Sequence, residues 1–197
     1  MAKGSGTTRK SSPRASRGVQ SASRQDEATK LYDFWVRGGS NSINAQIDPS
    51  FTNGYGAYDG VKRDLDLLDT VFEPAKSDIR LYKGLPEDMT DYLMKQTGAK
   101  SASDLVGKTY VDKFYSSTSD NMRAAEDYAY RNADFDDQSS IVHFNIKKGT
   151  PIKRAVGYTD QETTLRRNLR YKITRVRTEE ADDGQILHHF YITVSDK

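Results

Sequence analysis

The sequence predicts an α+β fold in which helices pack on a mostly antiparallel two-sheet β-sandwich core. Three observations lead there. Segments with apolar residues at three- and four-residue steps crowd the first half, alternating or β-branched runs fill the second, and those runs are separated by Gly or charged turns. A chain of 197 residues with 35% apolar content can build one core. It has no cysteine, which excludes disulfides and thiolate metal sites and fits a reducing compartment. No apolar run reaches bilayer length and no secretory signal is recognisable, so a soluble, monomeric, cytoplasmic protein is expected, with no membrane contact.

Charge divides the chain in two. Of the 30 Lys and Arg, six fall within residues 1–25 (Lys3, Arg9, Lys10, Arg14, Arg17 and Arg24) with no acid among them, leaving 24 bases against 28 acids beyond. Residues 1–25 are Ser, Gly, Lys and Arg with almost nothing to bury, so they are expected to form a disordered basic tail. Weak contact with nucleic acid or an acidic partner is its expected use. Residues 26–197 form the expected folded domain.

Asp26 to Arg37 places Leu31, Phe34 and Trp35 on one helical face, and Gly38-Gly39 ends the run. Asn41 to Tyr58 lacks a clean period and reads as loop with one helical turn. Tyr58 to Phe72 predicts a helix through Val61, Leu65, Leu68 and Phe72, stopped by Pro74. Asp78 to Lys83 alternates as a strand, putting Arg80 and Tyr82 on one face and Leu81 and Lys83 on the other. Pro86 to Gln96 predicts a short helix. Gly107-Lys108-Thr109 mimics the end of a phosphate loop, but the glycine needed five positions earlier is Ala102, so that reading fails.

Lys113 to Asp120 reads as an aromatic strand running into three hydroxyls, Ser117-Thr118-Ser119, then a helix start. Asn121 to Tyr130 has helical spacing through Met122, Ala125 and Ala129, and an acidic polar loop from Asn132 to Ser140 follows. Strands are predicted at Ile141 to Ile146, Pro151 to Val156, Glu162 to Leu165, Leu169 to Arg177 and Ile186 to Val194. His188 and His189 are neighbours on one strand and face opposite ways, so no metal site is expected. Neither a nucleophile elbow nor a glycine-rich dinucleotide fingerprint is present.

Three pieces stand together: the basic strand with Arg80 and Lys83, the Ser117-Thr118-Ser119 strand, and the turn Gly157-Tyr158-Thr159-Asp160-Gln161-Glu162. Together they resemble the Arg, Ser-Thr-Ser and Glu-x-Glu pattern of mono-ADP-ribosyltransferases, the fold of bacterial exotoxins and several bacteriophage enzymes. The resemblance runs from about Tyr58 to Val194 and includes the approach to the hydroxyl strand, Gly107 to Phe114, and a Gly-Thr-Pro strand start at Gly149 to Pro151.

That resemblance implies transfer of ADP-ribose from NAD, as co-substrate, to a side chain of a target protein, with release of nicotinamide and no metal. It implies Glu162 as the catalytic carboxylate. Ser117 would hydrogen-bond it, Thr118 and Ser119 would brace the cleft, Tyr128 would lie against nicotinamide and Arg131 would contact a phosphate. Tyr158 and Asp160 would recognise the acceptor, and a carboxylate at 160 favours arginine.

The family's aromatic-Arg-Gly strand is Tyr82-Lys83-Gly84 here, so either Lys83 or Arg80 must fill the arginine's role, with Arg80 preferred. A phage enzyme acting on host proteins in the host cytoplasm is the implied setting, ahead of a secreted toxin. An NAD glycohydrolase and a non-catalytic binding module on the same fold are the alternatives.

Overall fold

Among the described residues the chain forms five α-helices: α1 (Arg14–Phe34), α2 (Ser40–Ile47), α3 (Leu65–Asp69), α4 (Thr90–Thr97) and α5 (Met122–Arg131). Nine strands accompany them: β1 (Glu73–Pro74), β2 (Ile79–Leu85), β3 (Thr109–Asp112), β4 (Ser116–Ser119), β5 (Ser139–Ile146), β6 (Pro151–Arg154), β7 (Glu162–Leu165), β8 (Leu169–Glu180) and β9 (Ile186–Ser195). The computed structural model describes residues 14–48, 62–131, 138–155, 162–180 and 184–196, the side chains of 14–21 and 131 excepted.

The strands are hydrogen-bonded in the order β1-β6-β7-β4-β2-β5-β9-β8-β3. Pairing is antiparallel throughout except between β5 and β9. Between β4 and β2 the connection is a single pair, Tyr82 with Ser119. The sheet therefore has a four-stranded and a five-stranded half, so the two expected sheets are joined at one bridge.

Both halves share one apolar core. Leu165 of β7 packs in the same cluster as Leu81, Phe144, Ile146, Tyr171, Ile173, Phe190, Ile192 and Val194, with Leu93 of α4 closing it. Alternation explains the set, because every second residue of these strands points inward. A second cluster joins the helices before β1 to the other face of β4: Ala28, Tyr32, Trp35, Ile43, Leu67, Leu68 and Val71 surround Tyr115.

The N-terminal elements differ most from expectation. Helix begins at Arg14, so residues 14–25, expected to be disordered, have helical backbone; residues 1–13 lie outside the described set. Ala28, Tyr32 and Trp35 anchor the C-terminal part of α1 in the core, and propagating a nucleated helix one residue at a time costs little. Between Trp35 and Gly39 the helix kinks, with Gly38 at φ +106°. There the predicted stop becomes a corner into α2.

The loop expected from Asn41 is helix as far as Ile47. Tertiary contacts override the weak pattern: Ile43 is buried, and the Asn44 side chain donates to the Tyr115 carbonyl and accepts from the Tyr115 amide. Conversely α3 is shorter than expected. The Gln46 side chain holds the Arg63 backbone from both sides, and Asp64 caps the Leu67 amide, so from residue 62 onward helix starts only at Leu65; residues 58–61 lie outside the described set.

Candidate active site

Register brings the hydroxyl strand and the predicted carboxylate together. β4 pairs with β7 so that Ser117 opposes Thr164 and Ser119 opposes Glu162. Directly opposed residues point to the same face, so Ser117, Ser119, Thr164 and Glu162 share one surface, and Ser116, Thr118, Thr163 and Leu165 share the core side. Across that surface the Ser117 hydroxyl donates to Glu162 Oε1 at 2.7 Å.

The other two hydroxyls serve the backbone. Thr118 is buried and donates to the Thr163 carbonyl, tying β4 to β7. Ser119 Oγ accepts from the Asn121 amide at 3.0 Å and so sits at the approach to α5. Of the trio, Ser117 meets the carboxylate.

Helix α1 supplies a wall that sequence reasoning missed. Tyr32 is 4% exposed, shares a 3.1 Å hydrogen bond with Thr164 Oγ1 and donates to the Lys153 carbonyl at 3.2 Å. Burial pushes its hydroxyl pKa up to about 12, with the nearby Glu162 charge adding to the rise. The phenol thus stays protonated beside the carboxylate. Lys153 pairs with Thr164 across β6 and β7, which puts a cation on the same surface, 5.9 Å from the Tyr32 ring. Neither residue belongs to a local motif. The only sequence signal was Tyr32's place on the same helix face as Leu31 and Trp35.

The two candidate cations on β2 point opposite ways. Lys83 lines a cavity of about 400 Å³, also bordered by Phe114, Tyr115, Ser116, Asp112, Tyr92 and Tyr171. Its ammonium donates to Ser116 Oγ at 3.1 Å, one residue from Ser117. Burial lowers the Lys83 pKa, and the Asp112 and Glu87 charges oppose that fall; Asp112 is itself raised by burial. The buried Tyr171 hydroxyl, which lines the same cavity, has no hydrogen-bond partner among the described residues.

Arg80 is exposed and lines a groove of about 310 Å³ with Tyr82, His143, Asn145 and Tyr191, a groove that no hydroxyl-strand residue borders. The strand alternates as expected: Lys83 reaches the hydroxyl strand on its core side, at Ser116, while Arg80 and Tyr82, the latter opposed to Ser119, lie on the face that carries Ser117 and Glu162.

Tyr128 lies on α5 and is 56% exposed. The α5 helix crosses β2 at Gly84, where a Cβ would meet the Ala125 carbonyl oxygen at 1.8 Å. Arg131 is the last residue of α5, its side chain outside the described set. Tyr158 and Asp160 also lie outside the described residues.

No protein-family model matches the chain, and no curated protein matches it in sequence. Solved structures do. C3larvin, an ADP-ribosyltransferase toxin from Paenibacillus larvae, matches with a TM-score of 0.51 at 18% identity, covering 87% of this chain and 86% of its own. The chain has the ADP-ribosyltransferase fold. The C3 exoenzyme of Clostridium limosum matches with a TM-score of 0.53 at 17% identity, over 88% of this chain and 85% of its own. A C3 protein from S. aureus, solved with NAD, covers 89% of this chain and 88% of its own with a TM-score of 0.53 at 15% identity. At these identities the likeness defines the fold, and the chemistry must be argued from the side chains.

Proposed function

We propose that this ADP-ribosyltransferase-fold protein is an NAD-dependent mono-ADP-ribosyltransferase acting on a protein side chain, arginine first. The observation that carries the proposal is the 2.7 Å hydrogen bond from Ser117 to Glu162, built on the paired strands β4 and β7. Breaking the nicotinamide–ribose bond develops an oxocarbenium-like cation, and a carboxylate held in place stabilises it without reorganising during the reaction. Ser117 holds one oxygen of Glu162 and thereby orients the carboxylate, while Tyr32 and Lys153 border its surface.

Arg80, on the face that Tyr82 shares with Ser119, and Lys83, at Ser116 on the core side, are both proposed for the phosphate-facing role. The Lys83 ammonium is a point charge in a polar cavity, without the planar fork of an arginine. Tyr128 and Arg131, on α5, are proposed for the nicotinamide and phosphate ends of NAD, and Tyr158 and Asp160 for the acceptor. Arginine is favoured as acceptor because a carboxylate at 160, two residues before Glu162, can hold and polarise a guanidinium.

The experiment is incubation of the full chain with NAD and bacterial lysate, followed by mass spectrometry of modified peptides and measurement of released nicotinamide. Labelled arginine is the expected result. Glu162→Gln is expected to slow labelling 10²- to 10³-fold, on the order of 3 kcal/mol of barrier. Labelling by the variant at the wild-type rate removes Glu162 from the mechanism. Nicotinamide release without labelled protein reassigns the chain as a glycohydrolase.

A further inference from the structure

The cavity of about 400 Å³ lies on the core side of the sheet, away from the outer face that carries Ser117 and Glu162. Its size falls in the range of small-molecule pockets, about 300–1,000 Å³. Val142, Phe144 and Ile192 give it an apolar wall, Tyr110 and Phe114 add two rings, and all five are buried. Glu87, Lys95 and Gln96 stand exposed at its rim. Lys83 is the one residue that it shares with the proposed NAD site.

Two opposite charges line this space without meeting. Lys83 donates to Ser116 Oγ at 3.1 Å and Asp112 Oδ1 accepts from the Phe114 amide at 3.0 Å, while among the described residues no ion pair joins the two. An ammonium has three protons to give and a carboxylate two oxygens, so both keep unused capacity. Burial works against each charge, lowering the Lys83 pKa and raising that of Asp112, and their mutual attraction does not offset it. The Tyr171 hydroxyl, buried in the same lining, has no hydrogen-bond partner among the described residues. Charges removed from water are costly unless each is paired and hydrogen-bonded, and a molecule carrying both signs pairs both.

We propose that this cavity binds a free α-amino acid with an apolar or aromatic side chain. Its carboxylate pairs with Lys83 and accepts from the Tyr171 hydroxyl, its ammonium pairs with Asp112, and its side chain packs against Val142, Phe144 and Ile192. A zwitterion brings one partner for each charge and adds no net charge to the interior. A simple acid would set a second anion beside Asp112, and a simple amine a second cation beside Lys83. Binding of this kind does not depend on NAD turnover.

The test is isothermal calorimetry of the full chain at pH 7 without NAD, titrated with L-phenylalanine, with hydrocinnamate, which lacks the ammonium, and with phenethylamine, which lacks the carboxylate. Each deletion is expected to weaken binding roughly 10- to 100-fold, the range for one charge-assisted hydrogen bond. Asp112→Asn is expected to bring L-phenylalanine down to the level of hydrocinnamate, and Lys83→Met to that of phenethylamine. Tyr171→Phe removes only a hydroxyl. It is expected to weaken L-phenylalanine roughly 2- to 10-fold and to leave the affinity for NAD unchanged.

Wild-type protein that binds L-phenylalanine no tighter than hydrocinnamate and phenethylamine overturns the proposal without any variant. So does a Tyr171→Phe protein, folded by circular dichroism, that binds L-phenylalanine like wild type. A matching loss of NAD affinity in that variant also overturns it, because the cavity then belongs to the co-substrate site.

Discussion

Ser117 and Glu162 are 45 residues apart in sequence and 2.7 Å apart in space, and in the proposed mechanism the hydroxyl acts through the carboxylate it holds. Ser117 is in this sense a positioning residue, and Ser117→Ala is expected to lower kcat while leaving KM for NAD nearly unchanged, with Ser117→Thr restoring part of the rate. An equal loss through KM would place the hydroxyl on the substrate instead.

Lys83 differs in kind, because it must be charged to hold a phosphate and burial works against that charge. A lysine with a lowered pKa is protonated below that pKa and loses its charge as pH rises through it. The kcat/KM for NAD is therefore expected to decline on the alkaline side at a pH below the ordinary lysine value of about 10.4. Lys83→Arg, which stays protonated, is expected to move that limb upward, and Lys83→Met to raise KM at every pH. A Lys83→Arg profile that overlays the wild type removes Lys83 from NAD binding.

At the scale of elements, the crossing of α5 over β2 sets where Tyr128 and Arg131 stand. The absence of a side chain at Gly84 makes the crossing possible, since a methyl group would clash with the backbone carbonyl of Ala125. Gly84→Ala must push the helix away, and overpacking of this sort costs about 1–3 kcal/mol. The urea midpoint is expected to fall accordingly, with KM for NAD rising as α5 shifts. An unchanged midpoint would mean that the crossing is looser than described.

Which elements are legible in the sequence follows from where their information lies. β2, α5, β7, β8 and β9 carry their own period and match expectation within a few residues. The Ser117–Glu162 pairing is legible too, because its motifs are local. Helix α2 is not, since Asn44 and Tyr115 specify each other across 71 residues through paired hydrogen bonds that leave no periodic trace. The same holds for Tyr32, whose partners Thr164 and Lys153 lie on strands far along the chain. β1 has only two residues and shows no alternation at all.

For the molecule as a whole, the outer sheet face also sets how stability responds to acid. Glu179, His189 and His143 form a chain across β8, β9 and β5, with 2.9 Å between Glu179 Oε1 and His189 Nε2 and 2.9 Å between His189 Nδ1 and His143 Nε2. Burial, then the His189 charge, lowers the His143 pKa from 6.5 to about 4, with Glu179 opposing. Below 6.5 the unfolded chain takes up a proton that the folded chain refuses until about pH 4, so stability is full above 6.5 and is lost as pH falls through that window.

At the full linkage rate this displacement is worth roughly 3 kcal/mol, which solvent around a half-exposed ring reduces to about 1–2 kcal/mol. Asp112 works in the opposite direction, because burial raises its pKa and its protonation favours the folded state as pH drops. Asp78 and Glu179, whose pKa values are lowered by their hydrogen bonds to Lys147 and His189, add to the loss in acid, so the wild-type slope sums all four groups. His143→Phe keeps a ring against Tyr191 and removes one titration, so urea unfolding between pH 7 and 4 is expected to show a flatter loss for the variant, by about 1–2 kcal/mol. Parallel curves would place His143 outside the acid response and leave the carboxylates, Glu179 first, to account for it.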